Sequence, residues 1–172
     1  MLSLAAKDIM TRDVITIRKG SSIDEALRLM ACHNISGLPV VDSEGYLQGI
    51  ITESDLLLKG QIALPDARAQ KNSIFAPHPD GVQEAYRRSH ETLVEDAMTR
   101  KVLTFMEDSL ASDIAREMIE HAVNRVPIVR DRKVVGIVSR RDIILALAKE
   151  SNGFEECPGK ARKVGKGQLI EL

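Results

Sequence analysis

Two four-residue segments carry a hydroxyl and a carboxylate at the same spacing, Thr52-Glu53-Ser54-Asp55 and Ser139-Arg140-Arg141-Asp142. Each lies between two apolar runs, which places it where a strand leads into a helix. A carboxylate at such a junction can accept hydrogen bonds from ribose hydroxyls, while a hydroxyl and free backbone N–H groups can bind phosphate oxygens. The same spacing is that of a capping box, in which the two side chains only close the helix start. Spacing alone favours the cap and leaves ligand binding open.

The four histidines are not expected to form a metal site. His33 and His121 fall at equivalent places near predicted helix ends, where a histidine can meet free carbonyl groups. His78 and His90 lack the spacing of metal ligands. The chain has no Gly-rich phosphate loop with a lysine, no Gly-x-Ser-x-Gly sequence and no plausible Cys/His pair. We therefore predict no catalytic residue, no metal and no required cofactor.

Composition limits the class of partner. The chain has 172 residues, of which 44% are hydrophobic and 28% charged, with a net charge of -1. It can bury a core, but it has no global electrostatic field that would hold nucleic acid or an anionic membrane. Aromatic residues make up 3% and tryptophan is absent, so stacking platforms for single-stranded nucleic acid are largely missing. We predict no nucleic-acid partner.

Targeting signals and cysteine chemistry are also missing from the sequence. No apolar run approaches the roughly 20 residues of a membrane-spanning helix, and the first residues have no run long enough for a signal peptide. Cys32 and Cys157 are far apart and neither belongs to a CxxC motif, so neither a disulfide framework nor a zinc site is indicated. We predict a cytoplasmic protein with no membrane partner.

An internal repeat organises the chain. Residues 8–41 align with 96–129 without a gap, so that DIMTRDVITI corresponds to DAMTRKVLTF and GLPVV to RVPIV. After a loop that is one residue shorter in the second copy, GIITESDLLL aligns with GIVSRRDIIL. The segments Thr52–Asp55 and Ser139–Asp142 therefore occupy equivalent positions in the two copies.

Each copy shows the same pattern of elements. Ser22 and Glu25 form a capping box before a helix with apolar residues at helical spacing, and Asp42–Gly45 predicts a turn between two strands. A final helix follows each copy. The unit is β-α-β-β-α and is too small to close a core alone, so we predict an α+β fold in which two repeats pack about a pseudo-twofold axis. The predicted strands are Val14–Ile17, Leu38–Val41 and Leu47–Thr52 in the first copy, and Val102–Phe105, Val126–Val129 and Val134–Ser139 in the second.

The repeat divides the chain into a first domain at 1–60, an insertion or linker at 61–91, a second domain at 92–150 and a tail at 151–172. The insertion contains Pro65, the Pro77-His78-Pro79 run and Gly81, which predict a surface segment with one short helix near Val82–Arg88. It is either a tolerated loop, since long surface insertions cost little, or a functional lid. The tail is polar and rich in glycine, which is typical of flexible segments.

In these repeats the chain resembles the cystathionine β-synthase (CBS) domain family. Copies of that domain run from an MT-containing segment through a hydrophobic strand and an LPVV-like strand to a G-h-h-T/S-x-x-D motif, in which h is apolar. Both repeats carry all three pieces in this order, and the insertion and tail are unmatched. The resemblance implies a pair that binds AMP, ADP, ATP, S-adenosylmethionine or, less often, another ligand in clefts between its copies. Such pairs usually regulate a partner.

The resemblance also implies which residues form the clefts. In the family the hydroxyl and the aspartate of the last motif face the ligand, and the opposite copy supplies the other wall. Carried over by position, one nucleotide-binding site consists of Thr16, Ser21, Ile35, Ser36, Gly37, Pro39, Ser139, Arg141 and Asp142. The reciprocal site consists of Thr104, Ser109, Val123, Asn124, Arg125, Pro127, Thr52, Ser54 and Asp55.

The two implied sites are not equal. Some family members place a basic residue that reaches phosphate where Arg125 stands, which makes the site with Asp55 the better equipped for a phosphorylated ligand. Arg125 read as an ordinary surface arginine is the alternative. In the other site Arg141 replaces a small hydroxyl residue, and it can bind phosphate, fill the cleft or face solvent. The site with Asp55 is therefore the expected nucleotide site.

The terminal helices are apolar on more than one face, as in Leu56-Leu57-Leu58 and Ile143–Ala148. The second face packs either within the monomer or against another subunit, and the resemblance implies a homodimer. The leading hypothesis is a non-catalytic regulatory module that binds an adenosine nucleotide and signals to an unidentified protein partner. A ligand-free dimerising scaffold, or a binder of S-adenosylmethionine or NAD(H), is the alternative. An enzyme regulated in cis lacks the residues for a catalytic domain.

Overall fold

The computed structural model describes residues 4–58 and 92–150 of the chain. The predicted insertion at 61–91 and the predicted tail at 151–172 lie outside the described residues. Two repeats make up an α+β fold, as predicted. The first contains α1 (Ala6–Ile9), β1 (Ile17–Arg18), α2 (Ile23–His33), β2 (Gly37–Val41), β3 (Leu47–Thr52) and α3 (Glu53–Leu58). The second contains α4 (Val94–Ala97), α5 (Ala111–Glu120), β4 (Arg125–Arg130), β5 (Lys133–Ser139) and α6 (Arg140–Glu150).

Helix α2 shows how local sequence sets an element. Ser22 accepts a hydrogen bond from the Glu25 backbone N–H at 3.3 Å, so the predicted cap closes the helix start. Ile23, Ala26 and Met30 form the buried stripe. The helix ends at Asn34, whose φ of 52° is left-handed. This stripe places α2 on the core side of the first sheet.

The predicted hairpins are present in both repeats. Strand β2 pairs antiparallel with β3, with Pro39 opposite Ile50, and β4 pairs antiparallel with β5, with Pro127 opposite Ile137. The turn before β3 is held by Asp42, whose Oδ1 accepts from the backbone N–H groups of Glu44 and Tyr46 at 3.0 and 2.9 Å. Both hairpins end at the hydroxyl residues that start the final helices.

The first strand of each repeat is much shorter than predicted. Only Ile17–Arg18 pairs with β2, in parallel, and in the second repeat only Phe105 bridges to Ile128. The reason is tertiary, because the preceding residues leave their own sheet and cross to the other repeat. Thr11 exchanges two backbone hydrogen bonds of 3.0 Å with Ile137 of the second repeat.

The two repeats exchange short segments, here called the exchanged segments, which are Ala6–Met10 and Val94–Met98. Ala6 and Met10 belong to the core of the second repeat, with Ile114, Met118 and Ile128 among its buried members. Val94, Ala97 and Met98 belong to the core of the first repeat. Neither core is complete without residues from the other half of the chain.

The glycine of each G-h-h-T/S motif makes room for the methionine of the opposite exchanged segment. A Cβ on Gly49 would lie 2.6 Å from the Met98 Sδ, and a Cβ on Gly136 would lie 2.3 Å from the Met10 Sδ. Both distances are far inside van der Waals contact. Two motifs that are distant in sequence are therefore packing partners.

Candidate functional site

Two clefts lie between the repeats, and each is named here by its aspartate. The Asp55 cleft has a volume of about 330 Å³ and the Asp142 cleft about 460 Å³, both within the roughly 300–1,000 Å³ of small-molecule sites. The Asp55 cleft is lined by Ser36, Ile50, Thr52, Glu53, Ser54, Asp55, Thr99, Lys101, Val102, Leu103, Ala122, Val123, Asn124 and Arg125. The Asp142 cleft is lined by Thr11, Asp13, Val14, Ile15, Asn34, Ile35, Ser36, Gly37, Asn124, Arg125, Ile137, Ser139, Arg140, Arg141 and Asp142.

Asp55 forms a capping box with Thr52 and also reaches the other repeat. Its Oδ2 accepts from the Thr52 backbone N–H at 2.9 Å and from Thr52 Oγ1 at 2.7 Å. Its Oδ1 accepts from Thr99 Oγ1 at 3.1 Å, across the interface between the repeats. Asp55 is 9% exposed and is the one charged residue that is buried in the described part of the chain. The carboxylate therefore closes α3, contacts the second repeat and lines a cleft at once.

Asp142 forms the same cap with one carboxylate oxygen left over. Its Oδ2 accepts from the Ser139 backbone N–H at 2.7 Å and from Ser139 Oγ at 2.6 Å. Within residues 4–58 and 92–150, no hydrogen bond reaches Oδ1, and the Thr11 hydroxyl does not donate to Asp142 as the Thr99 hydroxyl donates to Asp55. Oδ1 is therefore an available acceptor beside the Asp142 cleft.

Arg125 lies where the two clefts meet. Its Nη1 donates to the Ser36 carbonyl oxygen at 2.5 Å, and its Nη2 donates to Ser36 Oγ. Both residues line both clefts. Burial lowers the pKa of the Arg125 guanidinium, and the Glu53 carboxylate acts in the opposite direction. Because arginine stays protonated in proteins, the result is a partly desolvated cation at the junction of the clefts.

The remaining charges differ between the clefts. The Asp55 cleft adds Glu53 and Lys101, one charge of each sign. The equivalent positions in the Asp142 cleft reverse the signs to Arg140 and Asp13, and Arg141 adds a further cation. The Asp142 cleft thus contains three arginines against two aspartates. The sequence-based preference for the Asp55 cleft rested on Arg125 and on the second hydroxyl, Ser54, where the other cleft has Arg141; the structure places Arg125 at both clefts.

The structure brings together most, but not all, of the residues assigned to each site from the sequence. Thr52, Ser54, Asp55, Val123, Asn124 and Arg125 line one cleft, and Ile35, Ser36, Gly37, Ser139, Arg141 and Asp142 line the other. Six assigned residues line neither: Thr16, Ser21, Pro39, Thr104, Ser109 and Pro127.

Each of the six has another place in the fold. Thr16 and Ser21 line a separate depression at the Asp42 turn. Pro39 and Pro127 are buried in β2 and β4, and Ser109 Oγ accepts from the Met106 backbone N–H at 3.1 Å within a turn. Thr104 is half-buried just before the Phe105 bridge. These residues shape the elements around the clefts.

Sequence reasoning missed the residues that follow the exchanged segments. Thr11 and Asp13 line one cleft, and Thr99 and Lys101 line the other, because each exchanged segment lies against the opposite repeat before the chain returns to its own first strand. The signal was present in the Met-Thr pair repeated at equivalent positions of both copies. It was used to align the copies and was not assigned to a cleft wall.

The described residues contain neither a metal-binding cluster nor a membrane-spanning helix. No group of three or more His, Cys, Asp or Glu side chains in residues 4–58 and 92–150 could hold a metal ion. His121 instead places Nδ1 3.1 Å from the Glu117 carbonyl oxygen at the end of α5, which is the predicted capping position. No helix in the same ranges is long and apolar enough to cross a membrane.

The fold and the site define a class of protein, an α+β pair of repeats that exchange segments and enclose two equivalent clefts. The chain belongs to the CBS domain family, whose sequence pattern matches residues 6–60 and 94–149. The sequence-based resemblance is confirmed.

Relatives of similar size share most of the chain. The uncharacterized protein MJ1426 of Methanocaldococcus jannaschii is 34% identical over 158 residues, which cover 82% of this chain and 89% of that protein. Other relatives are longer, and the chain spans 32% of the length of one and 22% of another. The chain is therefore similar both to small CBS proteins and to parts of larger ones.

Solved CBS structures have the same fold. The CBS domain of a CBS domain containing membrane protein from Sphaerobacter thermophilus matches with a TM-score of 0.71 at 33% identity, covering 84% of this chain and 88% of that chain. The CBS domain pair of protein MJ0100, in complex with 5'-methylthioadenosine and S-adenosyl-L-methionine, matches with a TM-score of 0.65 at 32% identity, covering 86% and 98%.

Proposed function

We propose that this CBS pair is a non-catalytic regulatory module that binds an adenosine nucleotide in the clefts between its repeats. The main observation behind this proposal is the make-up of the two clefts. Each cleft combines apolar side chains of one repeat with a capping hydroxyl and carboxylate of the other, and Arg125 lines both clefts. The 32% identical MJ0100 pair, which was crystallised with two adenosine compounds, supports the proposal. AMP, ADP and ATP are the proposed ligands, and no cofactor is required.

The chemistry of each cleft fits the parts of a nucleotide. Half-buried aliphatic side chains, Val102 and Leu103 in one cleft and Val14 and Ile15 in the other, offer flat apolar surface to a purine. The free Oδ1 of Asp142 can accept from a ribose hydroxyl. Guanidinium groups form charge-assisted hydrogen bonds with phosphate, so the arginines would hold the anionic end.

The proposed regulation follows from the fact that both repeats supply residues to each cleft. Every ligand in either cleft contacts both repeats, so it favours the relative orientation that closes its contacts. The hydrogen bonds from Arg125 to Ser36 and from Thr99 to Asp55 cross the same interface. A protein partner that contacts both repeats would sense the change.

A ligand panel tests the function. Purified chain is melted alone and with AMP, ADP, ATP, S-adenosylmethionine and NADH, and we expect at least one adenosine compound to raise Tm by mass action. Asp142→Asn keeps an acceptor for the cap but loses the charge, and we expect about tenfold weaker binding in the Asp142 cleft. Asp108→Asn, an exposed aspartate that lines neither cleft, is the matched control.

The result can contradict the proposal at two levels. If none of the five compounds raises Tm, the chain is not an adenosine-ligand module and the ligand-free scaffold becomes the better hypothesis. If a compound binds but Asp142→Asn and Asp55→Asn both leave its affinity unchanged, those aspartates act only as helix caps. A response to S-adenosylmethionine or NADH alone would replace the nucleotide as the ligand.

We also propose a homodimer and a cytoplasmic location. On α6, Ile144 is 63% and Leu147 50% exposed while Ile143 and Ala146 are buried, so the helix has a second, open apolar face. The side chains of Leu57 and Leu58, which were predicted to contribute, lie outside the described residues.

The proposed cytoplasmic location is supported by Cys32, an exposed free thiol, which suits a reducing compartment.

A further inference from the structure

One guanidinium faces two clefts. In the described residues Arg125 is the single cation that lines both the Asp55 cleft and the Asp142 cleft. Its two terminal nitrogens are both held by Ser36 of the first repeat, through the carbonyl oxygen and the hydroxyl. Ser36 also lines both clefts, so the pair marks the boundary between them.

Only one of the two equivalent positions of the repeats carries an arginine. The position equivalent to Arg125 in the first repeat is Gly37. A Cβ on Gly37 would lie so close to Arg125 Nη1 that the guanidinium would have to shift. Glycine at this position therefore leaves the Arg125 guanidinium undisturbed beside Ser36, and the first repeat supplies no second cation here.

We propose that Arg125 is one anion-binding group shared by the two clefts, so that a phosphorylated ligand in one cleft weakens phosphorylated-ligand binding in the other. The inference rests on the proposed nucleotide binding and concerns how the two clefts influence each other. A guanidinium that turns its donors to a phosphate in one cleft cannot present the same donors to the other. Binding therefore becomes negatively coupled through one residue.

The hydrogen bonds to Ser36 link this coupling to the interface between the repeats. An anion that draws the guanidinium away from Ser36 breaks its hydrogen bonds to the Ser36 carbonyl oxygen and hydroxyl, both of which belong to the opposite repeat. Lys101 of the Asp55 cleft is offset by Glu53, whereas the Asp142 cleft has Arg140 and Arg141. We expect the Asp55 cleft to depend more strongly on Arg125.

Matched variants separate the clefts. Val14 lines only the Asp142 cleft and Val102, its equivalent, lines only the Asp55 cleft. Val14→Trp fills the first and Val102→Trp the second, which leaves one open cleft in each variant with Arg125 intact. Circular dichroism and a cooperative melt check folding, and phenylalanine replaces tryptophan in any variant that fails.

Calorimetric titrations with AMP and with adenosine, which lacks the phosphate, then test the sharing. We expect Arg125→Gln to weaken AMP binding about tenfold or more in both single-cleft variants while adenosine binding changes little. In the unmodified chain the second AMP should bind at least about fivefold more weakly than its single-cleft affinity. Arg125→Lys, which keeps the charge but not the planar fork, should restore part of the affinity.

Two other results would overturn the sharing. Loss of AMP affinity in only one single-cleft variant would assign Arg125 to that cleft alone. An AMP titration of the unmodified chain that equals the sum of the two single-cleft titrations would show independent clefts. If the unmodified chain binds neither AMP nor adenosine, the proposed function itself is wrong, which is distinct from independent binding.

Discussion

Asn34 and Ala122 end the first long helix of each repeat, and both adopt a left-handed backbone with φ of 52°. The Cβ of either residue crowds the neighbouring carbonyl in this conformation, but an asparagine amide can offset the cost with local hydrogen bonds and an alanine methyl cannot. Ala122→Asn is therefore expected to raise the free energy of unfolding by about 0.5–1 kcal/mol. Urea unfolding with linear extrapolation measures the change.

The equivalent residue supplies the control for this prediction. Asn34→Ala removes the offsetting amide from the first repeat and should lower the free energy of unfolding by a similar amount. Equal free energies of unfolding for Ala122→Asn and the unmodified chain would show that the left-handed backbone at Ala122 does not destabilise the protein in solution. Because Ala122 also lines the Asp55 cleft, AMP affinity is measured in the same variant.

At the residue scale, the spacing of residues indicated local geometry better than it indicated position in the fold. The spacing of Thr52 and Asp55 left a helix cap and a ligand site as alternatives, and the structure gives the cap geometry on the wall of a cleft. Thr16 was assigned to a cleft by position, but it lies at the Asp42 turn. A residue-by-residue carry-over cannot see that the chain crosses between repeats just before Thr16.

At the scale of elements, Met98 and Gly49 join the two repeats. A Cβ on Gly49 would lie 2.6 Å from Met98 Sδ and 2.9 Å from the Thr99 carbonyl oxygen. Thr99 cannot move easily, because it exchanges backbone hydrogen bonds of 2.9 and 3.0 Å with Ile50. Gly49→Ala is therefore expected to lower the free energy of unfolding by about 1–3 kcal/mol.

A control and a double variant check the cause of this loss. Gly20→Ala has nothing within 4 Å of its Cβ and should change the free energy of unfolding by less than about 0.5 kcal/mol. Combining Gly49→Ala with Met98→Ala should cost at least about 0.5 kcal/mol less than the two single losses added together. Strict additivity would leave the Thr99 carbonyl oxygen, and not Met98, as the source of the clash.

Element types were predictable because their signals are local. Periodic apolar residues and the Ser22 cap fix α2, and the Asp42 turn fixes the first hairpin. The first strands were predicted too long because Val14–Ile17 is apolar like a strand, yet Val14 and Ile15 line a cleft. Pairing with a sheet depends on where the exchanged segment crosses, which is a tertiary property.

At the scale of the whole molecule, the open face of α6 predicts self-association. Ile144 and Leu147 are one turn apart and both at least half exposed. Ile144→Asp combined with Leu147→Asp should shift the mass measured by light scattering from twice the 19.0 kDa chain mass to the chain mass. A charged pair cannot be buried in an apolar interface without a large cost.

Another apolar-to-acid change controls for a general effect of charge. Met106 is 68% exposed and lies outside the helices, so Met106→Asp should leave the oligomeric mass unchanged. A monomeric mass for the unmodified chain would end the dimer proposal. Loss of the dimer in the Met106 variant as well would mean that the α6 result reflects a general effect of added charge and is no evidence for an interface on α6.

The repeat predicted two packed copies but could not show which residues complete which core. The exchanged segments are equivalent in both copies, so either assignment satisfies the same alignment. Only the contacts of Ala6 and Val94 with the opposite cores decide it. Pseudo-symmetry is visible in a sequence, whereas exchange between symmetric parts is not.

The exchanged segments also fix the order of events while the chain is being made. The ribosome makes residues 4–58 before it makes Val94–Met98, so the first core is still missing its last members when its first residues emerge. Ile23, Leu38 and Ile51, all fully buried in the finished protein, stay open to water during that interval. At about 5–20 residues per second the delay lasts a few seconds. We expect the nascent chain to be held by ribosome-associated chaperones until its second half arrives.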